Sequence, residues 1–142
     1  MTEKKKKHTT NYSNTFIEIA EDCPATKGEI PPLGNKEKSI ASLQYEIVSK
    51  NPYKFTSDDV IFQVYAERAD LTKSELKSAR EQFFSKGQAC FRSSPLAKRY
   101  GWGIHHDKHG KIAMYGAETK EYEKCCTDPA LKTVKAMRSK RN

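Results

Sequence analysis

The chain has 142 residues, 26 Lys plus Arg against 18 Asp plus Glu, and a formal net charge of +8. That length suits one domain that buries a core unaided, and six Phe, seven Tyr and one Trp exclude a wholly disordered chain. No apolar run approaches the roughly 20 residues a membrane-spanning helix needs.

The charge is unevenly placed. Nine of the bases and one acid lie in residues 1–7 and 132–142, which leaves His8 to Leu131 with 17 of each. Nucleic-acid domains usually carry their basic face on the folded body, where phosphate contacts supply affinity. A neutral body therefore disfavours a nucleic-acid partner. The start, from Met1 to Thr10, has the charge of a signal peptide with no apolar stretch behind it. A cytoplasmic (cytosolic) protein is expected, with Cys23, Cys90, Cys125 and Cys126 as reduced thiols, since they show no C-x-x-C spacing.

In chain order, residues 1–10 read as a flexible basic tail, and a single domain spans 11–142. Tyr12 to Ala20 is rich in Phe, Ile and Thr and reads as a short strand ended by Cys23-Pro24. Pro24, Gly28, Pro31, Pro32 and Gly34 make the next stretch a long loop, a candidate site wall. Ser39 can cap a helix whose stripe is Ile40, Leu43, Ile47 and Val48, stopped by Asn51-Pro52. Thr56-Ser57-Asp58-Asp59 reads as a second helix start. The β-branched run Val60 to Tyr65 after it would equally suit a strand, and the cap favours helix. Thr72-Lys-Ser-Glu75 is a capping box opening a helix that runs to Gly87.

Beyond it, Gln88 to Arg92 reads as a strand and Ser93-Ser94-Pro95 as a turn. Gly101–His106 and Lys111–Tyr115 read as two strands joined by Asp107-Lys-His-Gly110. A helix from Thr119 to Cys126 follows. Asp128-Pro129 then reads as a further helix start leading into a basic end that is apolar only at Val134 and Met137, its last ten residues frayed. The sum is α+β: a small, mostly antiparallel sheet with helices packed on one face.

The segments Asn14-Thr-Phe-Ile-Glu18, Ala20-Glu-Asp-Cys-Pro24, Thr56-Ser-Asp-Asp59, Phe83-Phe-Ser-Lys-Gly-Gln88, Cys90-Phe-Arg92, Ser94-Pro-Leu96, Lys98-Arg-Tyr-Gly-Trp-Gly103 and Lys135-Ala-Met-Arg-Ser139 carry a resemblance. Together they resemble an uncharacterised family of small bacterial proteins described only as a domain of unknown function. The resemblance implies a bacterial, cytosolic, single-domain protein and brings no catalytic residues with it.

The densest polar and aromatic stretch is Arg92 to Gly103. Arg92, Lys98 and Arg99 beside the Ser94 turn can gather an anion, because guanidinium donates paired bonds and turn amides add more. Tyr100 and Trp102 could offer a stacking surface, and Arg138 is expected to fold back near Arg99. The plainer reading of the same residues is a core indole, surface charges and a turn.

His105-His106-Asp107-Lys-His109 invites a metal, yet adjacent strand residues face opposite sides, so at most one could join His109. No metal and no cofactor are expected. No G-x-S-x-G elbow and no phosphate-cradling glycine loop is present. The expected function is non-enzymatic binding of a small anionic or phosphorylated ligand by Arg92, Ser94, Lys98, Arg99, Tyr100, Trp102 and Arg138. The alternatives are an enzyme using His105 as acid–base, and an RNA or single-stranded DNA binder using the basic ends.

Overall fold

The computed structural model describes residues 8–33 and 38–140. Four strands, β1 (Thr15–Glu18), β2 (Trp102–His106), β3 (Ile112–Gly116) and β4 (Lys132–Lys135), form one sheet in the order β3-β2-β1-β4. β1 runs antiparallel to β2, β2 antiparallel to β3, and β4 parallel to β1. Among the described residues five helices accompany them: α1 (Ile40–Lys50), α2 (Ser57–Arg68), α3 (Leu76–Phe83), α4 (Pro95–Lys98) and α5 (Lys120–Thr127). The chain is α+β, as expected.

Local chemistry accounts for most boundaries. The Ser39 hydroxyl accepts from the Ser42 N–H at 3.1 Å and starts α1. Thr56 and Asp59 exchange bonds of 3.2 and 3.1 Å, a reciprocal cap on α2. At the hairpin, Asp107 Oδ1 accepts from the His109 and Lys111 N–H groups at 2.8 and 2.9 Å, and Gly110 takes a φ of 78°.

The strand-like run in α2 has a structural cause. Val60, Phe62, Val64 and Ala66 are all buried, and at 100° per residue the first and third face away from the second and fourth. Val60 enters the main core with Ile17, Val48, Phe91, Leu96, Ile104 and Ile112. Phe62 and Ala66 meet Phe84 in a separate cluster, with Phe83, Leu71 and Leu76 packed against it. A helix buried on two sides shows alternation that mimics a strand.

Pairing places Ile17 and Ile104 on the sheet face that α1, α2 and α4 cover. Phe16 and Gly103 point to the other face, which α5 covers. The Tyr122 ring meets Phe16 edge-on at 5.0 Å, and its hydroxyl accepts from the Ile19 N–H at 3.0 Å. A side chain at residue 103 would collide with both rings. The helices are therefore not confined to one face.

Three local expectations are corrected. Gln88–Arg92 pairs with no strand; a 3-10 turn over Phe91–Ser93 sinks the Phe91 ring into the core instead. Ser94 is no plain turn residue, since it caps α4 with Pro95 in the first helical position. Asp128-Pro129 starts no helix, and the basic end becomes β4. The reason is common to the first and third: the free edge of β1 needs a partner, and residues 132–135 take it.

The ends are docked as far as they are described. Asp58 Oδ1 accepts from both the N–H and hydroxyl of Thr10 at 2.7 Å, and Oδ2 from the Thr9 hydroxyl at 2.7 Å. The tail expected over residues 1–10 is thus anchored from His8, and Lys4 to Lys7 lie outside the described residues. Ser139 and Lys140 N–H groups both donate to Asp22 at 2.9 Å, so the C-terminal segment is held rather than frayed up to that point. The four cysteines are free thiols. Among the described residues no helix is long and apolar enough to cross a membrane.

Candidate functional site

α4 is a single turn that delivers Lys98, Arg99 and Tyr100 to the surface between α1 and the start of β2. Its cap, Ser94, is buried; the hydroxyl accepts from the Leu96 N–H at 3.2 Å and donates to Gln44 of α1 at 2.5 Å. Ser94 therefore holds α4 on α1. Immediately after Tyr100 the chain turns at Gly101, whose φ of 78° and contact with the Lys27 carbonyl leave no room for a side chain.

A cavity of about 390 Å³ opens there. Ser39, Ile40 and Ala41 supply the N-terminus of α1, Arg68 the end of α2, and Ser93, Pro95, Lys98, Arg99 and Tyr100 the rest. Arg68, Lys98 and Arg99 have no carboxylate within 4.0 Å among the described residues. No acid sits in the first turn of α1 either, so its leading N–H groups add positive potential to the same space. Among the described residues, three cations and a helix N-terminus line one cavity and no carboxylate does.

The other sequence candidates lie elsewhere. Arg92 Nε donates to the Lys135 carbonyl at 2.9 Å and fastens the end of β4. The Arg138 guanidinium lies 3.9 Å from Glu21, not beside Arg99 in the cavity. Trp102 is half-buried. Its Nε1 donates to the Glu29 carbonyl at 2.7 Å, its ring meets Tyr45 at 5.7 Å, and Gly28 covers it closely. The loop of residues 24–33 thus spends its proximity on the indole and forms no wall of the cavity. Arg68, thirty residues before Lys98, is the cation that sequence spacing could not assign.

His105 lies on the α5 side of the sheet, opposite Phe16 in β1. Its Nδ1 is 2.7 Å from the Tyr53 hydroxyl, which is 2.6 Å from that of Tyr115. Burial lowers the His105 pKa, and burial followed by the Tyr115 bond raises that of Tyr53. The sheet separates this chain of hydroxyls from the three cations. His106 is sealed on the opposite face, with neither ring nitrogen hydrogen bonded and the Tyr12 ring edge-on at 5.3 Å. Burial lowers its pKa to about 4. Among the described residues no three His, Cys, Asp or Glu side chains cluster as metal ligands would.

Residues 7–142 match the model of a family described as a family of unknown function (DUF6157). None of the curated proteins matches the chain, and none of the solved structures does.

Proposed function

The chain belongs to that family of unknown function, and from the geometry of the cationic cavity we propose that it is a non-enzymatic protein that binds a small anionic or phosphorylated ligand. The observation that carries this reading is that Arg68, Lys98 and Arg99 line one cavity with no acid among the described residues of its lining. Like charges held together repel, and an anion relieves that repulsion while accepting charge-assisted bonds from all three. Hydroxyls of Ser39 and Tyr100 line the same space and can donate to the remaining oxygens. A helix N-terminus favours the same charge.

Among the described residues no histidine, cysteine or carboxylate lines the cavity, which favours retention of a ligand over proton-transfer chemistry on it. His105, the acid–base candidate, sits across the sheet. The C-terminal bases Lys135 and Arg138 face Glu21, which favours a small anion over a nucleic acid. Free thiols fit a bacterial cytosol.

The test is a thermal-shift panel of inorganic phosphate, phosphorylated metabolites, carboxylates and oligonucleotides at two salt concentrations. The wild type is compared with an Arg68→Ala, Arg99→Ala double variant. Phosphorylated compounds are expected to raise the wild-type melting temperature, less so at high salt, and to leave the variant unmoved. The reading fails if no anion stabilises the wild type. It fails equally if only oligonucleotides act and do so on both proteins.

A further inference from the structure

The cationic cavity does not stand alone. A second cavity, of about 420 Å³, adjoins it and shares Ile40, Arg68, Ser93 and Pro95. Its other walls are largely apolar, with Ile61 and Val64 of α2, Phe83 of α3 and Ala89, which lies between α3 and the 3-10 turn at Phe91. Among the described residues no carboxylate lines it. Two large apolar residues that stay exposed, Ile40 at 42% and Tyr65 at 43%, both belong to this lining. Exposed apolar surface gathered at a concavity, rather than scattered, marks a place where something apolar is received.

The two cavities have opposite characters, and of the four residues they share only Arg68 is charged. Arg68 lines both, so its aliphatic stem can border the apolar space while its guanidinium serves the cationic one. A charge does not enter the apolar half without heavy desolvation cost, and a hydrocarbon gains nothing among the cations. The pair therefore orients a guest. One further donor is placed for it: Gln44 is buried on the apolar side, its carbonyl oxygen taken by Ser94 and its amide nitrogen without a partner among the described residues.

We infer that the ligand is an amphiphilic anion, a phosphate or carboxylate head carried on an apolar chain or ring. The head sits among Arg68, Lys98 and Arg99, and the apolar body lies between α2 and the Gln88–Cys90 segment. This deepens the anion-binding reading and rests on it.

Calorimetry on the full chain with inorganic phosphate, octyl phosphate and octanol separates the two ideas. Octyl phosphate is expected to bind at least about tenfold more tightly than inorganic phosphate, since each buried methylene adds up to roughly fourfold. Ala89→Trp fills the apolar cavity from an exposed position and is expected to keep phosphate binding while losing the octyl gain. Arg99→Ala is expected to weaken both phosphates. Independently of any variant, octyl phosphate is expected to shift the methyl resonances of Ile61 and Val64, and inorganic phosphate to leave them in place.

Equal affinity for the two phosphates overturns the inference and leaves the anion reading intact. No binding of either overturns both. Octanol binding as tightly as octyl phosphate, or unmoved Ile61 and Val64 methyls, overturns the inference. So does a dimer, seen in sedimentation velocity, that octyl phosphate fails to dissociate, because a second copy would then occupy the apolar rim.

Discussion

Replacing His106 with leucine is expected to flatten the acid limb of the protein's stability profile. The imidazole is fully buried between Thr15 and Ile112 of the neighbouring strands, with neither nitrogen hydrogen bonded. Burial is the main cause of its low pKa; the nearby carbonyls of Ile104 and Thr15 offset only part, and His105 lowers it further. The unfolded chain therefore takes up a proton before the fold does. This contribution is whole above pH 6.5 and is lost as the pH falls towards about 4. A site titrating near 6.5 unfolded and near 4 folded removes about 3 kcal/mol across that window, at about 1.4 kcal/mol per tenfold step. Leucine has no proton to take, and it also ends the cost of two unpaired buried nitrogens. Urea unfolding of both proteins at a series of pH values reads the difference. Carboxylates titrate in both and cancel. Wild type is expected to lose about 3 kcal/mol more than His106→Leu between pH 6.5 and 4. Superimposable profiles would refute the reasoning.

Two further substitutions probe the framework of the site and of the fold. Gly101→Ala forces a side chain into a φ of 78° and against the Lys27 carbonyl. It is expected to cost about 1–3 kcal/mol in denaturant unfolding, more if the loop cannot yield; an unchanged midpoint contradicts the close packing of that loop on the Tyr100–Trp102 corner. Asp58→Ala removes the acceptor for Thr9 and Thr10 and is expected to cost about 1–3 kcal/mol. Hydrogen exchange at residues 8–11 is expected to quicken while α5 keeps its protection. Equal exchange in the variant would show that these residues are held by something else.

Much of the framework is legible because it rests on short-range chemistry. Ser39, Thr56 with Asp59, and Asp107 through Gly110 each satisfy backbone groups within a few residues, so their motifs announce themselves. The misread segments depend on partners far away. Gln88–Arg92 has strand-like residues, yet the edge of β1 is filled by residues more than forty positions later. Phe91 serves the core from a 3-10 turn instead. The same distinction divides the site. Lys98, Arg99 and Tyr100 are contiguous and reach the cavity together, whereas Arg68 arrives only because α2 packs on α1. Trp102 is no free stacking platform, because its ring nitrogen donates to the Glu29 carbonyl, a loop contact without a spacing rule.

Nuclear magnetic resonance titration of the isotope-labelled chain with inorganic phosphate tests the central claim most directly. The account predicts saturable shifts concentrated at the amides of Ile40, Ala41 and Lys98 to Tyr100, abolished by Arg68→Ala with Arg99→Ala. Shifts confined to the basic ends, or a response at the cavity that survives the double substitution, would contradict it.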